Sequence, residues 1–275
     1  MAMIVAAAGV PHTPVFPQLA ARPEGTGIAA RYAAVRRVLD DERPDVLCVF
    51  HCDHINAFFL DHWPTFAITT GPTLICPIDD VPGVPQTAVH VHSGLATHLY
   101  QYLVPRDFDP SLVVNGVADH GVAVPLHFLD SSARRPIAPI HINDMVAPFP
   151  SAARCFALGR AVADAVAAWP PDLRVGVIAS GSFSLDVGSR RVPPGHSYAI
   201  PRPDWAGEVA AMLRAGSVED LVHKSTPAIL DDAGTVAGEL LSWLAALGAV
   251  TAAGLTLAHL DYEDGEGHAF AAWAR

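Results

Sequence analysis

The sequence predicts an α/β fold: a central sheet covered by helices on both faces, made as a single domain over residues 1–275. Three observations carry this. Apolar runs of strand length alternate with longer stretches of helical periodicity, the pattern of an α/β sheet. No internal repeat, low-complexity tract or long linker divides the chain. Hydrophobic residues make up 51% and charged residues 16%, so enough apolar surface can be buried to offset the ordering entropy of a packed domain.

The elements follow in chain order. Met3–Ala8 reads as the first strand, and a Pro-rich loop leads to a helix near Ile28–Leu39. Val46–His51 reads as a second strand and Thr65–Thr69 as a third. Ala88–Tyr102 reads as helical, Leu112–Asn115 as extended, Ile137–Ile142 as a strand. The Ala-rich run Ala152–Ala168 predicts a helix and Val175–Ala179 another strand. Helices are expected at Trp205–Ala215, Val218–His223 and Thr235–Leu247, and a last strand at Leu255–Asp261.

Charge and cysteine usage narrow the class. Seventeen basic residues against 28 acidic ones leave a net charge of −11, and no run of four Lys/Arg occurs. That argues against nucleic-acid binding, which needs a basic face to displace counterions. Cys48, Cys52, Cys76 and Cys155 are too few and scattered to staple a chain of this size, as expected in a reducing compartment. The N-terminal apolar run lacks a positive leader and is closed by Pro11, so it reads as a strand and not as a signal peptide. Ala233–Leu260 is apolar except for Glu239 and His259 and is interrupted by four glycines; a buried helix followed by a strand fits better than a membrane span. The expected address is the cytoplasm, with no membrane partner.

In open α/β sheets, ligands bind beyond the carboxyl ends of the strands. His12 lies four residues past the first strand, His54 lies just past the second in FHCDHINAFF, and Asp119–His120–Gly121 follows a third extended segment. Any one such histidine is more often a hydrogen-bonded structural residue. Glu239 sits among Leu240, Leu241, Trp243 and Leu244, where a carboxylate must be paired, metal-bound or turned to solvent. Two histidines and a carboxylate leave open positions on an octahedral metal, an arrangement suited to Fe(II) and oxygen chemistry. A zinc site from Cys48, His51, Cys52 and His54 competes, although it would need a bend at the strand end. The chain has no G-x-S-x-G elbow, no G-x-G-x-x-G fingerprint and no P-loop, which argues against a serine hydrolase and against nucleotide chemistry.

At these residues the sequence resembles the class III extradiol ring-cleavage dioxygenases, the family that includes the protocatechuate 4,5-dioxygenase β subunit and 2,3-dihydroxyphenylpropionate 1,2-dioxygenase. GVPHTP, PDVLCVFHCDHINAFFLDHWPTFAI, VADHGVAVPLHFL, PIAPIHIN with PSAARCFALGRAVADAV, and AGELLSWLAALGA carry the resemblance nearly end to end. It implies that His12, His54 and Glu239 ligate Fe(II). His120 is then an acid acting on substrate or bound oxygen, with Asp119 beside it. One position departs: the family's G-G-[LM]-S-H segment appears as GSFSL, with Leu185 in place of an acid/base histidine. Three readings stay open there. The reaction proceeds without that base, His196 in VPPGHSY replaces it, or the chain is a non-catalytic subunit of a heteromeric dioxygenase. The expected function is Fe(II)-dependent, O₂-consuming cleavage of a catechol-like aromatic by a homo-oligomer, or by a heteromer with a related subunit. A metal-dependent hydrolase on the same three ligands is a further alternative.

Overall fold

The computed structural model describes residues 1–131 and 134–275. Its strands are β1 (Met3–Val10), β2 (Val46–His51), β3 (Phe66–Thr69), β4 (Thr73–Cys76), β5 (Thr87–His90), β6 (Ser111–Val113), β7 (Gly116–Val117), β8 (Ile137–Ile142), β9 (Arg174–Ser180), β10 (Thr256–Asp261) and β11 (Phe270–Ala274). The helices are α1 (Phe16–Ala20), α2 (Thr26–Asp41), α3 (Ser93–Leu103), α4 (His120–Leu129), α5 (Ala152–Ala167), α6 (Pro203–Ala215), α7 (Val218–Lys224), α8 (Pro227–Ala233) and α9 (Leu240–Ala253).

Eight strands form one sheet in the order β10-β11-β1-β9-β2-β8-β3-β6, and β5-β4-β7 make a small second sheet. At the centre, β1, β9, β2 and β8 run parallel. Antiparallel pairs β1–β11 and β3–β8 flank them. The central strands are buried almost throughout, which is why they read as continuous apolar runs without alternation. Helices α2 and α4 pack on one face and α3, α5 and α9 on the other, giving the layered α/β architecture expected. Among the described residues no helix is long and apolar enough to cross a membrane.

The packing of α9 matters most for the site. A Cβ at Gly159 on α5 would lie 1.7 Å from the Ala245 carbonyl oxygen of α9, and one at Gly248 would lie 2.0 Å from the Phe156 carbonyl oxygen. Glycine at both positions lets the two helix backbones touch. Trp243 is fully buried, and its indole N–H donates to the Gly181 carbonyl (3.0 Å), fastening the first turn of α9 to the segment after β9. Removing such a side chain typically costs about 3–5 kcal/mol.

Two expected helices are corrected. Ala88–Tyr102 is not one helix: Thr87–His90 pairs antiparallel with Thr73–Cys76, and the helix begins only at Ser93. His92 sets that start, because its Nδ1 accepts the Leu95 N–H (3.1 Å) and so caps the first turn. Thr235–Leu247 is likewise broken. Residues Ala237–Glu239 form a 3₁₀ turn after Gly234, whose φ of 136° no other residue type adopts easily, and the α-helix starts at Leu240. Glu239 therefore ends the 3₁₀ turn at the N-cap position of α9, with no capping hydrogen bond from its side chain, and is not inside the α-helix. Strands β4, β5 and β11 had no counterpart in the sequence reading, and Leu112–Asn115 splits between β6 and the turn before β7.

Candidate active site

Because β1, β2, β8 and β9 are parallel, their carboxyl ends share one edge of the sheet, and the residues just beyond them meet there. His12 follows β1 by two residues. Its Nδ1 donates to the Ser180 hydroxyl oxygen (2.8 Å), whose own proton goes to the Gly121 carbonyl (2.5 Å). With the serine hydrogen committed, the proton of the His12 ring belongs on Nδ1, and Nε2 presents a lone pair. That nitrogen lies 3.1 Å from Glu239 Oε1.

His54 is held the same way by a different partner. Asp119 Oδ2 accepts both the His54 backbone N–H (2.7 Å) and its Nδ1–H (3.0 Å), again leaving Nε2 bare. This second Nε2 is 3.5 Å from the same Glu239 oxygen. The loop that delivers His54 winds around Asp53, whose carboxylate accepts the N–H groups of Asn56, Ala57 and Phe58 (2.8–3.2 Å). To make that turn Ile55 adopts φ 62°, a conformation costly for a β-branched residue and one that clusters at functional sites. Glu239 reaches the cluster from the amino end of α9, and its Oε2 accepts the Ser182 N–H (2.6 Å).

Cys52 Sγ completes the group, 3.8 Å from His12 Nε2 and 3.7 Å from His54 Nε2. Donor atoms of His12, Cys52, His54 and Glu239 all lie within 4.8 Å of one another. Two lone-pair nitrogens aimed at one carboxylate oxygen repel unless a positive charge lies among them. Burial would push the Glu239 carboxyl up, but the facing His12 and His54 rings hold it well below the usual carboxylate range. Burial also opposes charge on His54, yet Cys52 and Asp119 raise it well above the ordinary imidazole value. The donor set, imidazole with carboxylate and with each Nδ1 pinned from behind, is the one that fits a divalent transition metal.

His120 opens α4, where Asp119 caps the helix by accepting the Gly121 N–H (2.9 Å). Its Nδ1 meets Asp79 Oδ2 at 2.5 Å, and Asp79 Oδ1 accepts its backbone N–H (3.0 Å). Burial and then the neighbouring His54 lower its pKa, while Asp79 pulls the other way. The ring stacks on His54 with centroids 4.0 Å apart. A cavity of about 410 Å³ opens over the three histidines and Glu239.

The structure thus brings together His12, His54, Glu239, His120 and Asp119, the last holding His54 and not lining the cavity. Leu185 lies in the cavity wall, where it offers no titratable group. His196 is exposed and does not line the cavity; its neighbours Ser197 and Tyr198 do. Of the competing cysteine–histidine set, only Cys52 and His54 converge: His51 Nδ1 bonds the Cys52 carbonyl (2.7 Å), and Cys48 is buried within β2, its thiol pushed up to about 12. The sequence reading missed Ser180, Ser182 and Asp79 as partners. Asp79 lies 41 residues from His120, and no local pattern signals that pairing.

Residues 6–271 match the family described as the catalytic LigB subunit of aromatic ring-opening dioxygenase. A 2,3-dihydroxyphenylpropionate/2,3-dihydroxicinnamic acid 1,2-dioxygenase of Paraburkholderia xenovorans is 29% identical over 91% of this chain and 90% of its own length. A gallate dioxygenase of Pseudomonas putida is 27% identical over 58% of this chain and 46% of its own. An uncharacterized protein of Escherichia coli K12, known from its crystal structure, superposes with a TM-score of 0.61 at 18% identity, over 98% of both chains; it shares the fold.

Proposed function

The chain belongs to the family of catalytic LigB subunits of aromatic ring-opening dioxygenases, and we propose that it is an Fe(II)-dependent extradiol-type enzyme opening a catechol-like ring with O₂. The observation that carries this is the convergence of His12 Nε2, His54 Nε2 and Glu239 Oε1 at the sheet edge, the three donors carried there by β1, β2 and α9. When bound, iron would hold substrate oxygens and O₂ side by side and polarise them. The chain's own residues do the rest. Ser180 and Asp119 keep both ligating rings in the tautomer with a free Nε2, and Ser182 fixes the carboxylate. Asp79 holds His120 through Nδ1, so its Nε2 is the atom left to exchange a proton with a substrate oxygen in the cavity. Leu185 takes up no proton and keeps that wall dry. No histidine takes the place of Leu185 in this reading, since His196 lies outside the cavity.

The same proposal covers a single catalytic domain over residues 1–275 and a cytoplasmic address, supported by four free cysteines. It also covers assembly as a homo-oligomer, or with a related subunit. Leu185 favours one rival, a non-catalytic subunit. Anaerobic Fe(II) loading followed by an oxygen-electrode screen of catechols, aminophenols and dihydroxybenzoates separates them. O₂ uptake by the isolated chain supports the enzyme; iron bound without uptake, restored by a co-purifying homologue, supports the subunit.

A further inference from the structure

We propose that the substrate is a catechol whose ring substituent is neutral and apolar, and that Met145, Leu185, Val187 and Val236 select it against carboxylate-bearing analogues. This rests on the catechol reading above and names the substrate class of the same site.

Size comes first. An apolar cavity of about 150 Å³ already takes a benzene ring, so about 410 Å³ leaves room for a substituent the size of a second ring or a short alkyl chain. Charge decides its nature. Among the described residues lining the cavity, the ionisable side chains are His12, His54, His120, Glu239 and Tyr198, with no Lys or Arg. The three histidines and Glu239 already face one another or have partners on the scaffold. The rest of the lining is uncharged: Met145, Leu185, Val187 and Val236 with the Tyr198 ring supply its large apolar side chains, beside small residues such as Thr13 and Ser197.

Cations of residues 186–202, which line the cavity through Val187, Ser197 and Tyr198, are spent elsewhere. Arg191 Nε lies 2.6 Å from the Oδ2 of Asp186, itself fully buried between Leu185 and Val187, and an Arg191 Nη donates to the Asp232 carbonyl (3.0 Å). Arg202 is taken by Asp204 and Asp232, and Arg190 does not line the cavity. Thr235 commits its hydroxyl to Asp186 and to the Val187 backbone (2.9–3.1 Å). A substrate carboxylate placed here would lose its water, face Glu239 and gain no counter-ion. An aryl or alkyl group would bury apolar surface against apolar surface.

The test is anaerobic calorimetric titration of the Fe(II)-loaded full-length protein with catechol, 3-phenylcatechol and 2,3-dihydroxyphenylpropionate. Expected is binding of 3-phenylcatechol about tenfold or more tighter than either of the others. Val187 is half exposed at the cavity mouth and can carry a longer side chain without disturbing the core. Val187→Arg should close the gap between the propionate and 3-phenylcatechol by about tenfold. Propionate binding as tight as 3-phenylcatechol in the wild type, or a gap unmoved in Val187→Arg, overturns the inference while the catechol reading stands. Failure of all three to bind the iron-loaded protein overturns the catechol reading and this inference with it.

Discussion

Two groups of histidines sit at the same edge of the sheet, and only one of them has the makings of a metal centre. His12 and His54 each have an acceptor behind Nδ1 and a carboxylate in front of Nε2. A few residues away, His51 on β2 and His141 on β8 are register partners with ring centroids 5.9 Å apart; Asp53 lines the same small cavity, yet among the described residues no carboxylate forms a metal-holding group with them. Neither ring nitrogen of His141 makes a well-formed hydrogen bond, and the Pro64 carbonyl helps only weakly; burial, then the adjacent His51, lowers its pKa to about 3. The same residue type at the same edge thus does opposite things. A fixed tautomer plus an opposed carboxylate concentrates lone pairs at a point; His51 has the first, its Nδ1 bonded to the Cys52 carbonyl, but not the second, and His141 has neither, so both stay neutral rings that behave as core.

The comparison can be broken most forcefully at the carboxylate. Glu239→Ala removes the group that makes the first set differ from the second, so metal affinity should fall further than the 10- to 100-fold typical of losing an outer partner. Metal content after anaerobic loading and desalting checks this. His120→Ala should leave iron content near wild type and cut turnover by about 10² to 10⁴, the range for a positioned acid or base; iron loss equal to that of Glu239→Ala would make His120 a ligand instead. Ser180→Ala frees the His12 tautomer and should weaken metal binding by about 10- to 100-fold without touching any ligand. Unchanged affinity would show that the serine does not set the ring.

The smallest effect belongs to the second set. The folded pKa of His141, about 3, lies below its unfolded value near 6.5. Its contribution to stability is therefore complete above about pH 6.5 and is lost as pH falls through that value towards 3, by about 1.4 kcal/mol per pH unit. In urea titrations of the metal-free protein between pH 7 and 5, His141→Phe should lose less stability with acid than the wild type, by about that slope. Parallel pH profiles would mean that the ring is already charged or solvated in the folded state.

How much of this was legible in the sequence follows from where each feature's cause lies. The parallel core strands were legible because burial on both faces makes them uniformly apolar, as in Val46–His51 and Ile137–Ile142. His12, His54 and Glu239 stood out as polar residues interrupting such runs, and the family resemblance pointed to the same three. Strands β4 and β5 were illegible: at four residues each they carry too little periodicity, and their pairing is tertiary. The 3₁₀ turn through Glu239 was hidden because Gly238 read as a small residue within an apolar helix and Gly234 lay just before its expected start, whereas the turn follows from a positive φ at Gly234 and close approach of Gly238 to the Asp144 carbonyl. Ser180, Ser182 and Asp79 are ordinary polar residues whose roles exist only once separate strands and loops meet.

The central claim, that a pinned tautomer and an opposed carboxylate make one histidine set a metal centre and the other core, is tested most directly by iron stoichiometry. Anaerobic titration of Fe(II) should give about one ion per chain for the wild type and for Cys48→Ser and His141→Phe, and almost none for His54→Ala. Full iron retention in His54→Ala, or its loss in His141→Phe, would contradict the account.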